Sequence, residues 1–413
     1  MPGLQGGVDL RGNADHLPGL PQGLPRPRRN PRHADRRGGA LDTEGITAVI
    51  LAGGQGTRLR PLTLARPKPI IPLLNVPFLG YQLDLLRRHG ITDVVLSCSY
   101  MVEEVRRAMG DGAAWGVRLR YAVETEPLGT GGGVRNAVDL MGEPQPKARR
   151  ADMEMGPSGA RMGGLVVVLN GDVLTDADIG AMLCFHADRR ARATIYLVPV
   201  PDPTPYGLVE LESDGRVRRF IEKPGPSEIT TNTINAGFYV IDRALIARMP
   251  AGRVVSIERE FFPGLLADAV PFFGWVDDHY WLDIGSPAKY RQGQHDLLMG
   301  TLRVPIAPAL TAARPSSDEA GCVVSPSVIG AGCRLAPGSR VGPSAVLGEG
   351  CVVGPGAVVE GATLWDRVEV GKGAVLRDCI VASGARIGAG AVVGPGVVLA
   401  AGATVPDGAE LHA

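Results

Sequence analysis

No apolar run in the 413-residue chain approaches the ~20 residues that a helix needs to cross a bilayer, and none of its six cysteines falls in a CxxC pair. The first absence argues against a membrane span. The second argues against a zinc or disulfide framework and, with no signal-peptide core read ahead of the cysteines, makes a reducing cytoplasm the expected setting. Net charge is also lacking: 43 Lys and Arg balance 43 Asp and Glu. The whole-chain field therefore attracts neither nucleic acid nor an anionic membrane, and any anion site must be local. The seven histidines are scattered without a ligand pair, and none lies between Cys322 and Leu411. No Ser-His-Asp or Cys-His set suggests covalent catalysis.

What is present is length and glycine. The chain is longer than one hydrophobic core usually serves, so two domains are expected. Residues 1–45 carry Pro, Gly and Arg with scarcely any apolar period and read as a disordered tail, or as the product of a start codon placed too early. From Ile46 to about residue 302, apolar runs alternate with helical stretches, the pattern of an α/β domain with a mixed, mostly parallel sheet. Strands are expected at 46–53, 91–98, 117–123, 165–170, 193–200, 207–212, 216–221 and 236–241. Helices are expected at 77–90, 133–140, 176–190, 256–268 and 287–299. The polar, Gly- and Pro-rich stretch 142–164 reads as a surface insertion.

Beyond residue 321 the period becomes six. Ile329, Leu335, Val341, Leu347, Val353 and Val359 share one register, and after a disturbed stretch the six-residue spacing resumes at Val381, Ile387, Val393, Leu399 and Val405. Two residues before each stands a small side chain (Ser327, Cys333, Ser339, Ala345, Cys351, Ala357, Cys379, Ala385, Ala391, Ala403), with Val397 the exception. Such a pattern predicts a parallel β-helix over 305–413 in which the aliphatic residue fills the interior and the small residue fits the turn. Cys333, Cys351 and Cys379 are then packing residues. Between Val359 and Val381, Val370 and Leu376 sit one residue out of phase, so Trp365-Asp366-Arg367 is expected in a protruding loop, either a contact or solvated.

The strand at 46–52 runs into Gly53-Gly54-Gln55-Gly56-Thr57-Arg58. A glycine turn after a buried strand lets backbone N–H groups approach phosphate oxygens. It is neither a Walker loop nor a dinucleotide fingerprint, because no Gly-Lys-Ser/Thr follows and Leu59 stands where a third glycine would. Arg58 in the loop and Lys68, flanked by Pro67 and Pro69, add two fixed cations suited to a polyphosphate. The apolar strand 166–169 delivers Asn170-Gly171-Asp172. Asp172 could cap the next helix, or share a divalent cation with Asp283 of Trp281-Leu282-Asp283-Ile284-Gly285, the remaining ligands being phosphate oxygens and water. Glu222-Lys223-Pro224 could hold a sugar phosphate, or be a solvated pair.

The stretch LAGGQGTRLRPLTLARPKPIIPLLNVPFL resembles the signature of the NDP-sugar pyrophosphorylases, the sugar-1-phosphate nucleotidyltransferases, and the likeness continues through most of residues 46–300. It implies a Rossmann-like nucleotidyltransferase domain. Leu51, Ala52, Gly53, Gly54, Gly56 and Thr57 would bind the nucleotide, together with Glu124, Pro127, Gly129 and Thr130 of the segment that resembles the base-reading loop. Arg58 and Lys68 would stabilise charge at the α-phosphate. Asp172 and Asp283 would hold Mg²⁺. Gly207, Glu222, Lys223 and Asn235 would line the sugar-phosphate pocket. Segments 233–239 and 256–263 resemble mannose-1-phosphate guanylyltransferases, so GTP and mannose 1-phosphate are the expected partners. Glucose-1-phosphate thymidylyl-, adenylyl- or uridylyl transfer, and a catalytically silent regulatory subunit, are the alternatives. The repeats resemble hexapeptide-repeat proteins, which implies a left-handed β-helix; without a histidine they are expected to serve assembly of a homo-oligomer or regulation, not acyl transfer.

Overall fold

The computed structural model describes residues 43–142, 164–302, 304 and 321–413. Most of the expected tail, the expected insertion and the start of the repeat region lie outside the described residues. β1 (Thr47–Leu51) occupies the middle of a nine-stranded sheet. The small hairpin β2 (Pro72–Leu73) and β3 (Val76–Pro77) leads into α1 (Phe78–Arg88), β4 (Asp93–Cys98), α2 (Val102–Met109), β5 (Arg118–Val123) and α3 (Gly129–Leu140). Next come β6 (Leu165–Asn170), β7 (Val173–Thr175), α4 (Ile179–Asp188), β8 (Ala193–Pro199), β9 (Gly207–Leu211), β10 (Val217–Glu222) and β11 (Thr233–Asp242). The domain closes with α5 (Arg243–Ile246), α6 (Phe262–Ala267), β12 (Phe272–Val276), β13 (Trp281–Asp283) and α7 (Pro287–Leu298).

The main path is β10-β9-β11-β6-β1-β4-β5. β1, β4, β5 and β6 run parallel, whereas β11 is antiparallel to β6, β8 and β9. Parallel strands with both faces covered must be apolar throughout. β1 meets this rule: Ala48 and Ile50 pack in one layer with Leu79, Leu83 and Leu183, while Val49 packs in the other with Val134, Ala137 and Phe262.

Three differences from the expected elements have local causes. α2 was not foreseen, since among its eight residues only Val105 and Met109 are buried and it starts at Met101 in the left-handed region (φ 46°). β11 extends three residues further toward its start than expected because a bulge at 236–238, with Gly237 at φ 73°, interrupts the alternation. The helix expected over 256–268 is a π turn at Ile257–Phe261 followed by α6, with Pro263 at its start.

The C-terminal repeats form sixteen short strands, β14 (Cys322–Val323) to β29 (Glu410–Leu411), in three parallel sheets of six, five and five. Val341, Val353, Leu364, Val370, Leu376 and Val393 fill the interior with Cys333, Cys351 and Cys379. No loop protrudes at Trp365. Val328 pairs with Val346, 18 residues on, but Val346 pairs with Thr363, 17 on, and Ile380 with Val398, 18 on. Two shortened corners, Val359 to Leu364 and Leu376 to Val381, absorb the phase change, so every coil stays closed. One sheet faces the first domain. Its outward residues Val328, Val346, Thr363 and Ile380 are buried, whereas Arg334, Glu369 and Arg386, at the same positions of another sheet, are exposed. A single apolar cluster joins Val328, Val346, Trp365 and Ile380 to Leu62, Ile71, Leu73, Phe78, Leu174, Leu282 and Tyr290.

Candidate active site

The glycine loop, Asp172 and Glu124 follow the carboxyl ends of the parallel strands β1, β6 and β5, where open α/β sheets bind ligands. Leu51 ends β1, and Ala52 donates its N–H to the Ser97 carbonyl of β4 at 2.8 Å. The loop beyond is braced from beneath: Ser99 Oγ donates to the Gly53 carbonyl (2.7 Å) and Thr63 Oγ1 to the Gly56 carbonyl (2.8 Å). Gly56 is required by its φ of 61°. Gly54 differs, since a Cβ there would meet nothing within 4 Å. Its glycine is not demanded by the protein's own packing, which suits a loop that a ligand approaches from outside. Thr57 and Arg58 sit in the short 3-10 turn that follows, both exposed.

Lys68 begins another 3-10 turn, Lys68–Ile70, with Pro67 before it and Pro69 within it. Its ammonium pairs with Asp172 Oδ2 at 3.0 Å, the two side chains 12% and 33% exposed. The Asp172 turn is fixed from three sides. Gly171 N–H donates to the Leu51 carbonyl (2.7 Å), Ile284 N–H donates to the Asp172 carbonyl (2.8 Å), and Gln82 Nε2 donates to the carbonyls of Asn170 and Val173 at 2.9 and 3.0 Å. Gln82 was not foreseen as part of the site; a lone amide on the apolar face of α1 was the available signal.

Asp283 ends β13, where it pairs in register with Val173, the first residue of β7, so Asp172 just before β7 and Asp283 lie at the same end of this antiparallel pair. Its Oδ1 accepts from Tyr206 Oη at 2.8 Å and from Lys289 Nζ, which also donates to Tyr206 at 2.6 Å. Burial opposes the charge of the Lys289 ammonium, but its contacts with Asp283 and Tyr206 outweigh this and raise its pKa. Lys289 is the second unforeseen residue: Ser286 caps α7 and Pro287 starts it, which places Lys289 in the first turn, beside the end of β13. A Cβ on Gly285 would stand 3.1 Å from both Arg58 Nη2 and Asp283 Oδ2, which puts Arg58 at the same cluster. Among the described residues no group of three or more His, Cys, Asp or Glu side chains could hold a metal. Two carboxylates on adjacent strand ends, now neutralised by ammonium groups, nonetheless fit a cation that completes its shell with phosphate oxygens and water.

Glu124 lies beneath the glycine loop, 8% exposed. Its Oε1 accepts from Ser97 Oγ (2.6 Å) and its Oε2 from the Leu128 N–H (2.9 Å). A Cβ on Gly133 would stand 2.9 Å from Oε1, so that glycine leaves room for the carboxylate, whereas one on Gly53 would make ordinary contact at 3.7 Å. Pro127 and Gly129 are exposed at the entrance to α3. Thr130 is held in a joint: its hydroxyl donates to Glu258 (2.8 Å) and accepts from the Ile257 N–H (2.9 Å). On the antiparallel side Gly207 pairs with Glu222 across β9 and β10, and a Cβ there would meet Glu222 Oε2 at 2.9 Å. Burial, and after it the Glu258 carboxylate, raises the Glu222 pKa. Lys223 is exposed with a left-handed φ of 55°, a conformation that non-glycine residues adopt at a cost. Asn235 accepts from the Gly237 N–H and donates to Tyr239 Oη, both at 2.9 Å, so its amide shapes the β11 bulge.

This arrangement of a glycine loop, two cations and two carboxylates can bind a polyphosphate and align a nucleophile on it. Residues 47–299 match the Nucleotidyl transferase family, and residues 313–411 match the EIF2B subunit epsilon LbH domain, a left-handed β-helix. The chain is a member of the nucleotidyl transferase family. It is 38% identical over 345 residues to the mannose-1-phosphate guanylyltransferase of Mycobacterium tuberculosis, covering 81% of this chain and 84% of that one. It is 34% identical over 293 residues to the mannose-1-phosphate guanylyltransferase catalytic subunit beta of Drosophila pseudoobscura pseudoobscura, covering 70% and 72%. In fold it is similar to a putative glucose-1-phosphate thymidylyltransferase of Bacillus anthracis, with TM-score 0.51 and 21% identity over 60% of this chain and 94% of that one. Members of the family generally use a divalent metal.

Proposed function

We propose that this protein is a mannose-1-phosphate guanylyltransferase, joining GTP and mannose 1-phosphate into GDP-mannose and pyrophosphate. The observation that carries the reading is the convergence of Arg58, Lys68, Asp172 and Asp283 beside the glycine loop, with Lys68 and Asp172 3.0 Å apart. The named relatives support the choice of guanine and mannose. In the reaction an oxygen of mannose 1-phosphate attacks the α-phosphorus of GTP. A new phosphoanhydride bond forms, the bond from that phosphorus to the bridging oxygen breaks, and pyrophosphate leaves with the electron pair. An ionised phosphate is already nucleophilic, so alignment and charge neutralisation are the protein's tasks.

Backbone N–H groups of Gly53, Gly54, Gly56 and Thr57 are the donors assigned to the triphosphate. Arg58 and Lys68 neutralise charge that develops at the α-phosphate, and Lys68 is available to phosphate once its pairing with Asp172 is exchanged. Asp172 and Asp283 are the residues that would hold Mg²⁺, which when bound offsets phosphate charge. Glu124, Pro127, Gly129 and Thr130 are assigned to the base side. Gly207, Glu222, Lys223 and Asn235 are assigned to the sugar phosphate, Lys223 to its phosphate and Glu222 to sugar hydroxyls. The protein is assigned to the cytoplasm, in keeping with its free cysteines and with the finding that no helix among the described residues is long and apolar enough to cross a membrane. A homo-oligomer is the assigned assembly, with the strands at the two ends of the β-helix as candidate contacts.

The test is pyrophosphate release with each common nucleoside triphosphate against a panel of hexose 1-phosphates. GTP with mannose 1-phosphate should give the highest kcat/KM. Preference for dTTP, ATP or UTP with glucose 1-phosphate would replace the substrate assignment, and no turnover with any pair would refute the enzymatic reading.

A further inference from the structure

The segment that carries Lys68 has little structure of its own. Between Arg66 and Asn75 its regular elements are one 3-10 turn and the two-residue strand β2, so its path must be held from outside. Part of the hold comes from the first domain, where Tyr81 Oη donates to the Leu73 carbonyl at 2.8 Å and the Phe78 N–H to the Ile71 carbonyl at 2.9 Å, and part comes from the β-helix. Arg66 Nη2 donates to Asp366 Oδ2 at 3.0 Å, and its guanidinium lies 5.2 Å from the centre of the Trp365 ring. Asp366 is itself preset, because its Oδ1 accepts from the Glu349 N–H at 3.2 Å in the neighbouring coil.

Trp365, 2% exposed, donates Nε1–H to Tyr290 Oη at 3.0 Å, and that hydroxyl donates to the Pro72 carbonyl. Gln294 accepts the Leu74 N–H at 2.6 Å and reaches Thr363 at 3.4 Å, while Asn75 Nδ2 donates to the Leu347 carbonyl at 2.7 Å. Arg66 and Asn75 are therefore bonded directly to one face of the β-helix, Pro72 and Leu74 reach it through Tyr290 and Gln294 of α7, and Lys68 lies between these anchors. The anchoring coil is the one in which the hexad register is shortened.

We infer that Trp365 and Asp366 are positioning residues: the β-helix holds the Arg66–Asn75 segment so that the Lys68 ammonium stays aimed at the reacting phosphate. The inference rests on the role proposed for Lys68. It assigns to the repeat domain a direct part in nucleotidyl transfer, through placement of a cation and without contact with substrate.

The test uses the full-length chain with Asp366→Asn, Asp366→Glu and Trp365→Phe. A displaced cation costs transition-state stabilisation more than substrate binding, so Asp366→Asn should lower kcat about tenfold with KM for the triphosphate within about twofold, and Asp366→Glu should restore most of the loss. Added to Lys68→Met, Asp366→Asn should cause no further fall, because its effect is transmitted through the missing ammonium. Hydrogen exchange gives a readout that needs no substrate. The Ile70 and Ile71 N–H groups, bonded to the Pro67 and Lys68 carbonyls at 3.0 and 3.2 Å, should exchange about tenfold faster in both Asp366→Asn and Trp365→Phe. Unchanged exchange in both variants overturns the inference whatever the substrate proves to be. So does an Asp366→Asn loss that is equally large with and without Lys68. An inactive wild-type protein with accelerated exchange would instead refute the proposed reaction and leave the clamp standing.

Discussion

Lys68→Met separates catalysis from stability. Methionine keeps an unbranched stem of similar length and deletes only the ammonium that stands 3.0 Å from Asp172. In the folded state the loss is small. The Asp172 side chain is 33% exposed and can rehydrate when its partner goes, so the pair contributes at most about 1 kcal/mol. Against a domain stability of roughly 5–15 kcal/mol, the fold survives. In the transition state the loss is larger, because a preorganised cation is removed where negative charge develops: roughly a hundred- to thousandfold in kcat, about 3–4 kcal/mol. The assay is pyrophosphate release under saturating substrates, with thermal melting of the same preparation by circular dichroism. A folded variant with kcat within about threefold of wild type would refute the assignment. A loss of activity that simply tracks a collapse in Tm would assign Lys68 to structure instead.

Activity should require a divalent cation, and Asp172→Asn or Asp283→Asn should abolish most of it, because an amide is a poorer ligand for a hard ion; isothermal titration with Mg²⁺ and nucleotide checks that binding, not folding, is lost. His186 is buried with Nδ1 2.8 Å from Thr194 Oγ1, and burial pulls its pKa from the ordinary 6.5 down to about 4. Below about pH 6.5 the unfolded chain takes up a proton that the folded one refuses, so up to about 3 kcal/mol of stability is present above that pH and is lost as pH falls to about 4. Urea titrations should show this slope flattened in His186→Gln, and an unaltered slope refutes it. Trp365→Ala should cost about 3–5 kcal/mol in urea unfolding, since it empties a buried site between the two domains. Truncation after Leu302 would expose Ile71, Leu73 and Phe78, so the shortened chain should aggregate in light scattering; a soluble, fully active fragment would refute the docking argument.

Much of the catalytic half was legible because its strands are buried on both faces and stand out as apolar runs, as at 165–170 and 193–199. The candidate site was legible to the extent that strand ends carry unusual residues: Gly53-Gly54, Asn170-Gly171-Asp172 and the terminal Asp283 of β13 all mark such ends. What stayed hidden depends on the third dimension. Nothing adjacent in sequence ties Lys289 to Asp283 and Tyr206, or Gln82 to the Asp172 turn. The hexad was read through its inward aliphatic and small residues. The outward positions of the docked sheet, Val328, Val346, Thr363, Ile380 and Val398, are apolar at four of five places and record the docked face, but their steps of 18, 17, 17 and 18 residues hide them from a search at one fixed spacing. The expected protrusion at Trp365 failed because two shortened corners reset the phase without leaving the coil.

A Cβ on Gly171 would come 2.4 Å from the Leu51 carbonyl. Such closeness welds the turn bearing Asp172 to the strand that launches the glycine loop, so the two behave as one rigid jaw. The sugar-side candidates Gly207, Glu222 and Asn235 sit on the other limb of the sheet, in β9, β10 and β11, joined to that jaw through β11 and β6. If the proposed assignments hold, reshaping that limb retunes which hexose is accepted while the jaw proposed to handle phosphate keeps its form. A designer seeking a different sugar nucleotide should therefore vary the limb and leave residue 171 a glycine, since any side chain there would pry the jaw open before a substrate arrived.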